Sequence, residues 1–287
     1  MSDHDDRAIR YINRDLPSDI EVSFFVPCLN EEGNVARTLA TIAAACSTVG
    51  IRYEVLVFDD ASTDGTRDEV VAYAVGHPGE SIRLIKNASS RGLARNYVDG
   101  AYLAHGRYYM LANGDHAEPV ETLIAVLRLR GKADIIIPVF RGHDKRTRFR
   151  RLLSRTFTGL VNVVSGCSIG YYNGVVLHLR YNVMRWHGDT DGFAYQSEII
   201  TRLVQEGATF EEVVVANADR AVGASKALTL KNLLAVCHSL AQIGFRRLRF
   251  ALFYGRDRAR TNEATLLDVQ RRSVDRHEPS GGGHAGA

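Results

Sequence analysis

Two carboxylates stand side by side where an apolar run stops. In Glu54-Val55-Leu56-Val57-Phe58-Asp59-Asp60-Ala61-Ser62-Thr63-Asp64-Gly65-Thr66, the Val- and Phe-rich stretch reads as a buried strand that empties into acids and small polar residues. Ligands of α/β proteins gather where strands end, so acids in that place point to a ligand site rather than a solvated surface. The same arrangement occurs once before: residues 21–26 read as a strand that opens into Pro27-Cys28-Leu29-Asn30-Glu31-Glu32-Gly33-Asn34. Neither loop is a glycine-rich phosphate cradle, because no G-x-G-x-x-G or G-x-x-x-x-G-K-[ST] pattern occurs in the right context. That weighs against a dinucleotide or ATP enzyme. A competing structural reading has Asp59 and Asp60 end a strand and cap the helix that begins near Thr66, as Asp and Ser commonly do.

The elements that must position these loops alternate along the chain. Val35, Leu39, Ile42 and Cys46 recur at helical spacing, with Asn34 placed as N-cap. A strand is expected over 82–86, then a helix carrying Val98, Ala101 and Tyr102, and a strand over 107–112. Pro119 opens the next helix, whose face carries Val120, Leu123, Ile124 and Leu127, and 134–140 is another apolar strand. Strands separated by helices of this length predict βαβ units and a mostly parallel sheet. Beyond residue 140, strands are expected over 175–179 and 212–216, with a helix over 196–205 between them. A basic amphipathic segment is expected over 146–164 and a long helix over 230–250.

The bulk composition bounds the answer. With 45% hydrophobic and 24% charged residues the chain is a folded globular protein, and its 287 residues demand no second core. A net charge of +3 does not imply a nucleic-acid partner. Basic residues instead crowd into 141–155 and 246–260, interleaved with apolar ones. Cys28, Cys46, Cys167 and Cys237 form no Cys-x-x-Cys pair, so neither a zinc site nor a disulfide framework is expected, and a reducing cytosol fits. No secretory h-region opens the chain, and no run approaches the ~18 apolar residues of a spanning helix. The expected organisation is an arm over 1–19, irregular or a short helix, and a domain over 20–228. A basic helical extension follows over 229–260, with a Gly-rich disordered tail over 261–287.

The two strand-end loops resemble the nucleotide-sugar end of a family 2 glycosyltransferase of the GT-A fold. There a first strand ends in a Pro-x-x-Asn-Glu loop and a second in Asp-Asp-x-Ser-x-Asp-Gly-Thr. Asn87, then Arg91-Gly92-Leu93-Ala94-Arg95-Asn96, continue the likeness, and Gly100 and Ala104 would let that helix approach the sheet. The resemblance implies a donor site built from Pro27, Leu29, Asn30, Glu31, Asp59, Asp60, Ser62, Asn87, Gly92, Ala94, Asn113 and Gly114. It also implies a divalent metal, Mg²⁺ or Mn²⁺, on Asp115 and Asn113, which neutralises the diphosphate of a nucleoside diphosphate sugar.

Within the family, Arg220-Ala221-Val222-Gly223-Ala224-Ser225-Lys226 resembles the dolichyl- and polyprenyl-phosphate mannosyl- and glucosyltransferase branch. Arg220 and Lys226 would there gather phosphates, the Arg by paired hydrogen bonds and the Lys as a point charge. The basic segment over 146–164 would lie on an anionic membrane surface or simply pack on its own domain.

Three departures qualify the likeness. The usual Asp-x-Asp metal motif is Asn113-Gly114-Asp115, one charge short, so weaker metal binding is expected and Asn113→Asp is expected to tighten Mn²⁺. His116 is a further candidate ligand, though a lone His is more often an ordinary surface or core residue. The branch's Asp followed by Ser-Gly-Phe is replaced by Gly170-Tyr171-Tyr172-Asn173-Gly174-Val175, and Asp189 or Asp191 is either a catalytic base or a helix cap. Glu198 matches a family acid in a helix facing the site, or serves a structural role.

The resulting expectation is a GT-A, Rossmann-like, mixed and mostly parallel sheet with flanking helices. Its reaction is inverting hexose transfer to a polyprenyl phosphate at the cytoplasmic membrane face, the protein bound peripherally there, with a membrane protein as a possible partner. Asp115, Arg220, Lys226 and Asp191 form its catalytic set. The alternatives are a saccharide hydroxyl acceptor, with Asp189 or Asp191 as base, and a non-catalytic nucleotide-sugar binding protein.

Overall fold

The computed structural model describes residues 7–11, 19–140, 148–185, 194–215 and 230–254. Eight strands form one sheet: β1 (Arg7–Tyr11), β2 (Val22–Cys28), β3 (Tyr53–Asp59), β4 (Ile82–Asn87), β5 (Tyr108–Leu111), β6 (Ile135–Phe140), β7 (Leu177–Leu179) and β8 (Phe210–Val215). Their order is β1-β4-β3-β2-β5-β7-β6-β8. β4, β3, β2 and β5 run parallel, as do β6 and β8, while β7 is antiparallel to both its neighbours. The mixed, mostly parallel sheet agrees with the sequence reading.

β2 and β3 are buried almost throughout, which is why they read as continuous apolar runs rather than alternating ones. Phe24, Phe25, Leu56 and Phe58 lie in the core, and burying each such side chain contributes roughly 1.5–3 kcal/mol. Between the strands run α1 (Val35–Val49), α2 (Thr66–Gly76), α3 (Leu93–Leu103) and α4 (Val120–Arg128). The chain steps from β2 to β3 to β4 in one direction and then crosses back to β5. With right-handed crossovers this puts α1 and α2 on one face and α3 on the other. α3 lies close to the sheet because Gly100 has no side chain: a Cβ there would overlap the Tyr109 hydroxyl and come within 3.1 Å of Phe25 and Phe58.

The remaining described helices are α5 (Arg148–Ser165), α6 (Arg180–Met184), α7 (Tyr195–Gln205) and α8 (Leu230–Arg249), which ends in a π-helical turn, Phe250–Tyr254. One expectation is corrected. Arg7–Tyr11 is neither irregular arm nor helix, but pairs antiparallel with Arg83–Asn87 as the edge strand β1. The outer edge of β4 offers a row of N–H and C=O groups, a long-range attraction that local composition does not report. The expected tail over 261–287 lies outside the described residues.

Candidate active site at the strand ends

The four parallel strands β4, β3, β2 and β5 finish on one edge of the sheet, delivering Asn87, Asp59, Cys28 and Leu111 to the same side. The chain leaves β2 toward β3 but places β5 on the other flank of β2. The crevice between the ends of β2 and β5 is therefore a topological switch point, where open α/β sheets bind ligands.

The first two loops are zipped together. Asn30 N–H donates to Ser62 Oγ at 3.0 Å, and Thr63 N–H returns a bond to Asn30 Oδ1 at 2.9 Å. Glu31 N–H reaches Thr66 Oγ1 at 2.8 Å, Glu32 N–H reaches Asp64 Oδ2 at 3.1 Å, and Gly65 N–H reaches Glu32 Oε2 at 2.9 Å. Asn30 and Ala61 take left-handed backbone angles (φ 59° and 70°) to make these turns. Asn34 is the residue before α1, yet its side chain does not cap it. Glu69 of α2 does so instead, accepting the N–H groups of Gly33 at 2.6 Å and Ala36 at 3.1 Å. Gly65 is the N-cap of α2, and Asp64 just before it, rather than Asp59 or Asp60, accepts the helix's first N–H, Thr66 N–H on Oδ1 at 3.1 Å.

Asp59 and Asp60 are both buried and hold the chain around them. Asp59 Oδ1 accepts Ser62 N–H at 2.8 Å, and its Oδ2 pairs with Arg67 Nε at 2.8 Å. Asp60 collects five donors: Asn87 Nδ2, Asn96 Nδ2 and Arg91 N–H on Oδ1, each at 2.8 Å, with Ser90 Oγ at 2.7 Å and Gly92 N–H at 3.1 Å on Oδ2. Burial alone would raise the Asp60 carboxyl, but the bonds from Arg91, Ser90, Asn96 and Asn87 outweigh it and hold it below the usual range. The pair thus fixes the β3–α2 and β4–α3 loops, and a donor's contact with Asp60 would have to compete with five bonds already made. Ala94, the second residue of α3, is buried.

The third element is the turn after β5. Gly114 N–H bonds Pro27 O at 3.3 Å, and Thr38 Oγ1 donates to Asn113 O at 3.1 Å. A Cβ at Gly114 would stand 2.7 Å from both Pro27 O and Cys28 Sγ, so only glycine lets the turn lie against β2. His116 Nε2 contacts Thr41 Oγ1 at 3.1 Å on α1, and its backbone angle is positive (φ 53°). Burial, then the charges of Glu31, Asp59, Glu69 and Asp115, push the Cys28 thiol well up. Among the described residues no three His, Cys, Asp or Glu side chains cluster tightly enough to hold a metal by themselves. The donor set Asp115 carboxylate plus Asn113 amide oxygen fits a hard divalent ion that keeps waters and takes its other ligands from a diphosphate.

Of the expected site residues, the structure gathers Pro27, Leu29, Asn30, Glu31, Asp59, Asp60, Ser62, Asn87, Gly92, Ala94, Asn113, Gly114 and Asp115 at one sheet edge. Asp189, Asp191, Arg220 and Lys226 lie outside the described residues. Glu198 is buried on α7. Sequence reasoning passed over Arg67, Glu69 and Glu118. Glu69 carries a faint signal, an acid in the first turn of a helix, but it serves the neighbouring helix rather than its own.

α5 packs on α8, and Val161 and Ile243 on these helices are both buried. Arg247 Nη1 bonds the terminal carbonyls of α5 at Val163 (2.9 Å) and Val164 (3.2 Å). Their outer surface nevertheless carries exposed Phe149, Leu152, Leu160, Val163, Phe245, Leu248 and Phe253. No helix among the described residues is long and apolar enough to cross a membrane. All four cysteines are unpaired.

Residues 23–191 match the family model of Glycosyl transferase family 2. The chain is 24% identical over 164 residues to the undecaprenyl-phosphate 4-deoxy-4-formamido-L-arabinose transferase of Edwardsiella ictaluri, a match covering 57% of this chain and 50% of that one. It is 34% identical over 105 residues to the dolichol-phosphate mannosyltransferase of Saccharomyces cerevisiae, covering 36% and 39%. The match thus spans about half or less of these relatives' own length. Among solved structures, glucosyl-3-phosphoglycerate synthase from Mycobacterium tuberculosis, in complex with Mn²⁺, UDP and glucosyl-3-phosphoglycerate, is similar in fold. Its TM-score is 0.57 at 15% identity, over 79% of this chain and 80% of that one.

Proposed function

This chain belongs to glycosyl transferase family 2, and from that premise we propose that it moves a hexose, with inversion, from a nucleoside diphosphate sugar to a polyprenyl phosphate at a membrane surface. One observation carries the reading: two zipped loops and the Asn113–Asp115 turn converge at the switch point between β2 and β5. The names of the two relatives, which speak of undecaprenyl phosphate and dolichol phosphate, support the acceptor class.

In this reaction the acceptor phosphate oxygen bonds to the anomeric carbon as the bond from that carbon to the diphosphate breaks, its electron pair leaving with the nucleoside diphosphate. The attacking oxygen is already anionic, so no strong general base is required. Positioning and charge neutralisation then supply most of the rate. The loops of Pro27–Glu31 and Asp59–Ser62 shape the nucleoside pocket, with Asn87, Gly92 and Ala94 behind them. Asp115 and Asn113 would hold a Mg²⁺ or Mn²⁺ ion, which would supply positive charge beside the diphosphate when bound. Arg220 and Lys226 gather the phosphates, and Asp191 acts as a base only if the acceptor is a hydroxyl.

The exposed apolar side chains of α5 and α8 lie on helices rich in Arg, with Arg155 and Arg249 exposed among them. That pairing suits peripheral binding to an anionic membrane face, on the cytoplasmic side, where a membrane protein partner would also be met.

The test incubates purified protein with radiolabelled GDP-mannose, UDP-glucose and UDP-GlcNAc separately, with Mg²⁺ or Mn²⁺ and a polyprenyl phosphate. Label in the organic phase from one donor is the expected result. Donor binding by calorimetry without transfer would overturn the acceptor assignment.

A further inference from the structure

Glu118 lies just before α4 and turns back toward the end of β5. Its Oε1 accepts Asn113 Nδ2 at 2.6 Å, and its Oε2 accepts the Asn113 main-chain N–H at 3.3 Å. An ionised carboxylate only accepts, so the amide nitrogen of Asn113, and not its oxygen, must face Glu118. Which way the amide lies is therefore decided by this contact. The main chain of residue 113 is held as firmly, through Thr38 on its carbonyl and the neighbouring Gly114 N–H on Pro27. Only the Oδ1 side of the Asn113 amide is left to face away from Glu118.

Resting on the metal–diphosphate reading above, we propose that Glu118 is a positioning residue for that site. It presents the Asn113 amide oxygen toward the bound cation and supplies, one hydrogen bond removed, the negative charge that residue 113 itself lacks. Partners of metal ligands orient the ligand and raise its donor strength, and losing them typically costs about 10–100-fold in metal affinity.

A non-obvious consequence follows for Asn113→Asp, which the motif by itself predicts to tighten Mn²⁺. The introduced carboxylate would stand where the Asn113 Nδ2 donor now meets Glu118 Oε1 at 2.6 Å, and like charges so close repel. The gain should appear only when Glu118 is changed to an amide as well. Residues 113 and 118 therefore act as a coupled pair, non-additive in a double-mutant cycle.

The experiment measures Mn²⁺ affinity by electron paramagnetic resonance of the free ion, in the presence of UDP and of GDP separately. The proteins are the full chain, Glu118→Gln, Asn113→Asp and the double variant, each checked by thermal melting. Glu118→Asp replaces Glu118→Gln should the latter not melt cooperatively. We expect Glu118→Gln to weaken Mn²⁺ about 10-fold while metal-free nucleotide affinity stays unchanged. Asn113→Asp alone should bind no tighter than the unaltered chain, and the double variant tighter than either single one. Equal affinity in Glu118→Gln and the unaltered chain, or full tightening by Asn113→Asp alone, overturns the proposal and leaves the donor-site reading intact. Failure of the unaltered chain to retain Mn²⁺ with either nucleotide overturns the metal reading and this proposal together.

Discussion

Glu69, in the first turn of α2, accepts the main-chain N–H of Gly33 at 2.6 Å, so one helix caps the start of another. Its second oxygen takes Ala36 N–H at 3.1 Å, and the two strand-end loops are clamped into a single body. Neither group is deeply buried, so the clamp is worth what an ordinary cap is worth.

Glu69→Ala should therefore lower stability by about 1 kcal/mol. It should also loosen the Asn30 and Glu31 backbone and weaken UDP or GDP binding. Urea denaturation and calorimetric titration read the two effects, and unchanged stability would show that the cap is replaced by water.

Asp60 is a more serious loss. Asp60→Ala removes the acceptor shared by donors on Asn87, Asn96, Ser90, Arg91 and Gly92, of which Asn87 and Asn96 are buried. The expected cost is about 2–4 kcal/mol, with nucleotide binding lost as the β4–α3 loop opens. Asp60→Asn should retain part of the stability, because it keeps one acceptor oxygen. Chemical denaturation of both variants decides the order.

Acid should erode the protein's stability in two stages. His178 is fully buried on β7, and burial lowers its imidazole from 6.5 to about 3. The unfolded chain takes up that proton near 6.5 and the folded one does not. Its contribution is therefore full above that pH and is lost on acidification, by about 1.4 kcal/mol per pH unit. Glu54 acts lower. Burial would raise its carboxyl, but Ser23, the Arg83 charge and His105 hold it below its ordinary 4.5. Its contribution is present above 4.5 and disappears as the pH falls through the lower folded value. His178→Leu should flatten the first stage and spare the second, as read by urea midpoints across the acid range. An unaltered slope would contradict the assignment.

Gly114→Ala tests the close approach of the β5 turn to β2. The added methyl would stand 2.7 Å from Pro27 O and Cys28 Sγ, too near for either to stay in place. Mn²⁺–nucleotide binding should fall at least about 10-fold, with melting lowered by a few degrees. Wild-type binding would mean that the turn does not hold the diphosphate.

Leu152→Glu together with Leu248→Glu should abolish co-sedimentation with anionic vesicles while leaving nucleotide binding untouched. Both side chains are exposed, so folding should tolerate the change. Retained vesicle binding would remove α5 and α8 from the membrane contact.

The amino-acid sequence by itself determined the βαβ alternation, the buried strands β2 and β3, and the positions of the loops at their ends. These are local patterns of period and turn chemistry, fixed within a dozen residues. It placed Asp115 and Asn113 together in the same way. It did not reveal that Asn30, Glu31, Ser62 and Asp64 direct their hydrogen bonds at one another, because those partners lie some thirty residues apart. Nor did it show that Asp60 anchors a loop two elements away, or that Arg7–Tyr11 completes the sheet edge. Glu118 lies only five positions from Asn113, yet that pairing too was hidden, since the turn that folds one onto the other is held by Thr38 and Pro27. Tertiary structure decided these points because a polar side chain takes whichever partner the folded backbone brings within hydrogen-bond reach, and periodicity carries no record of that choice.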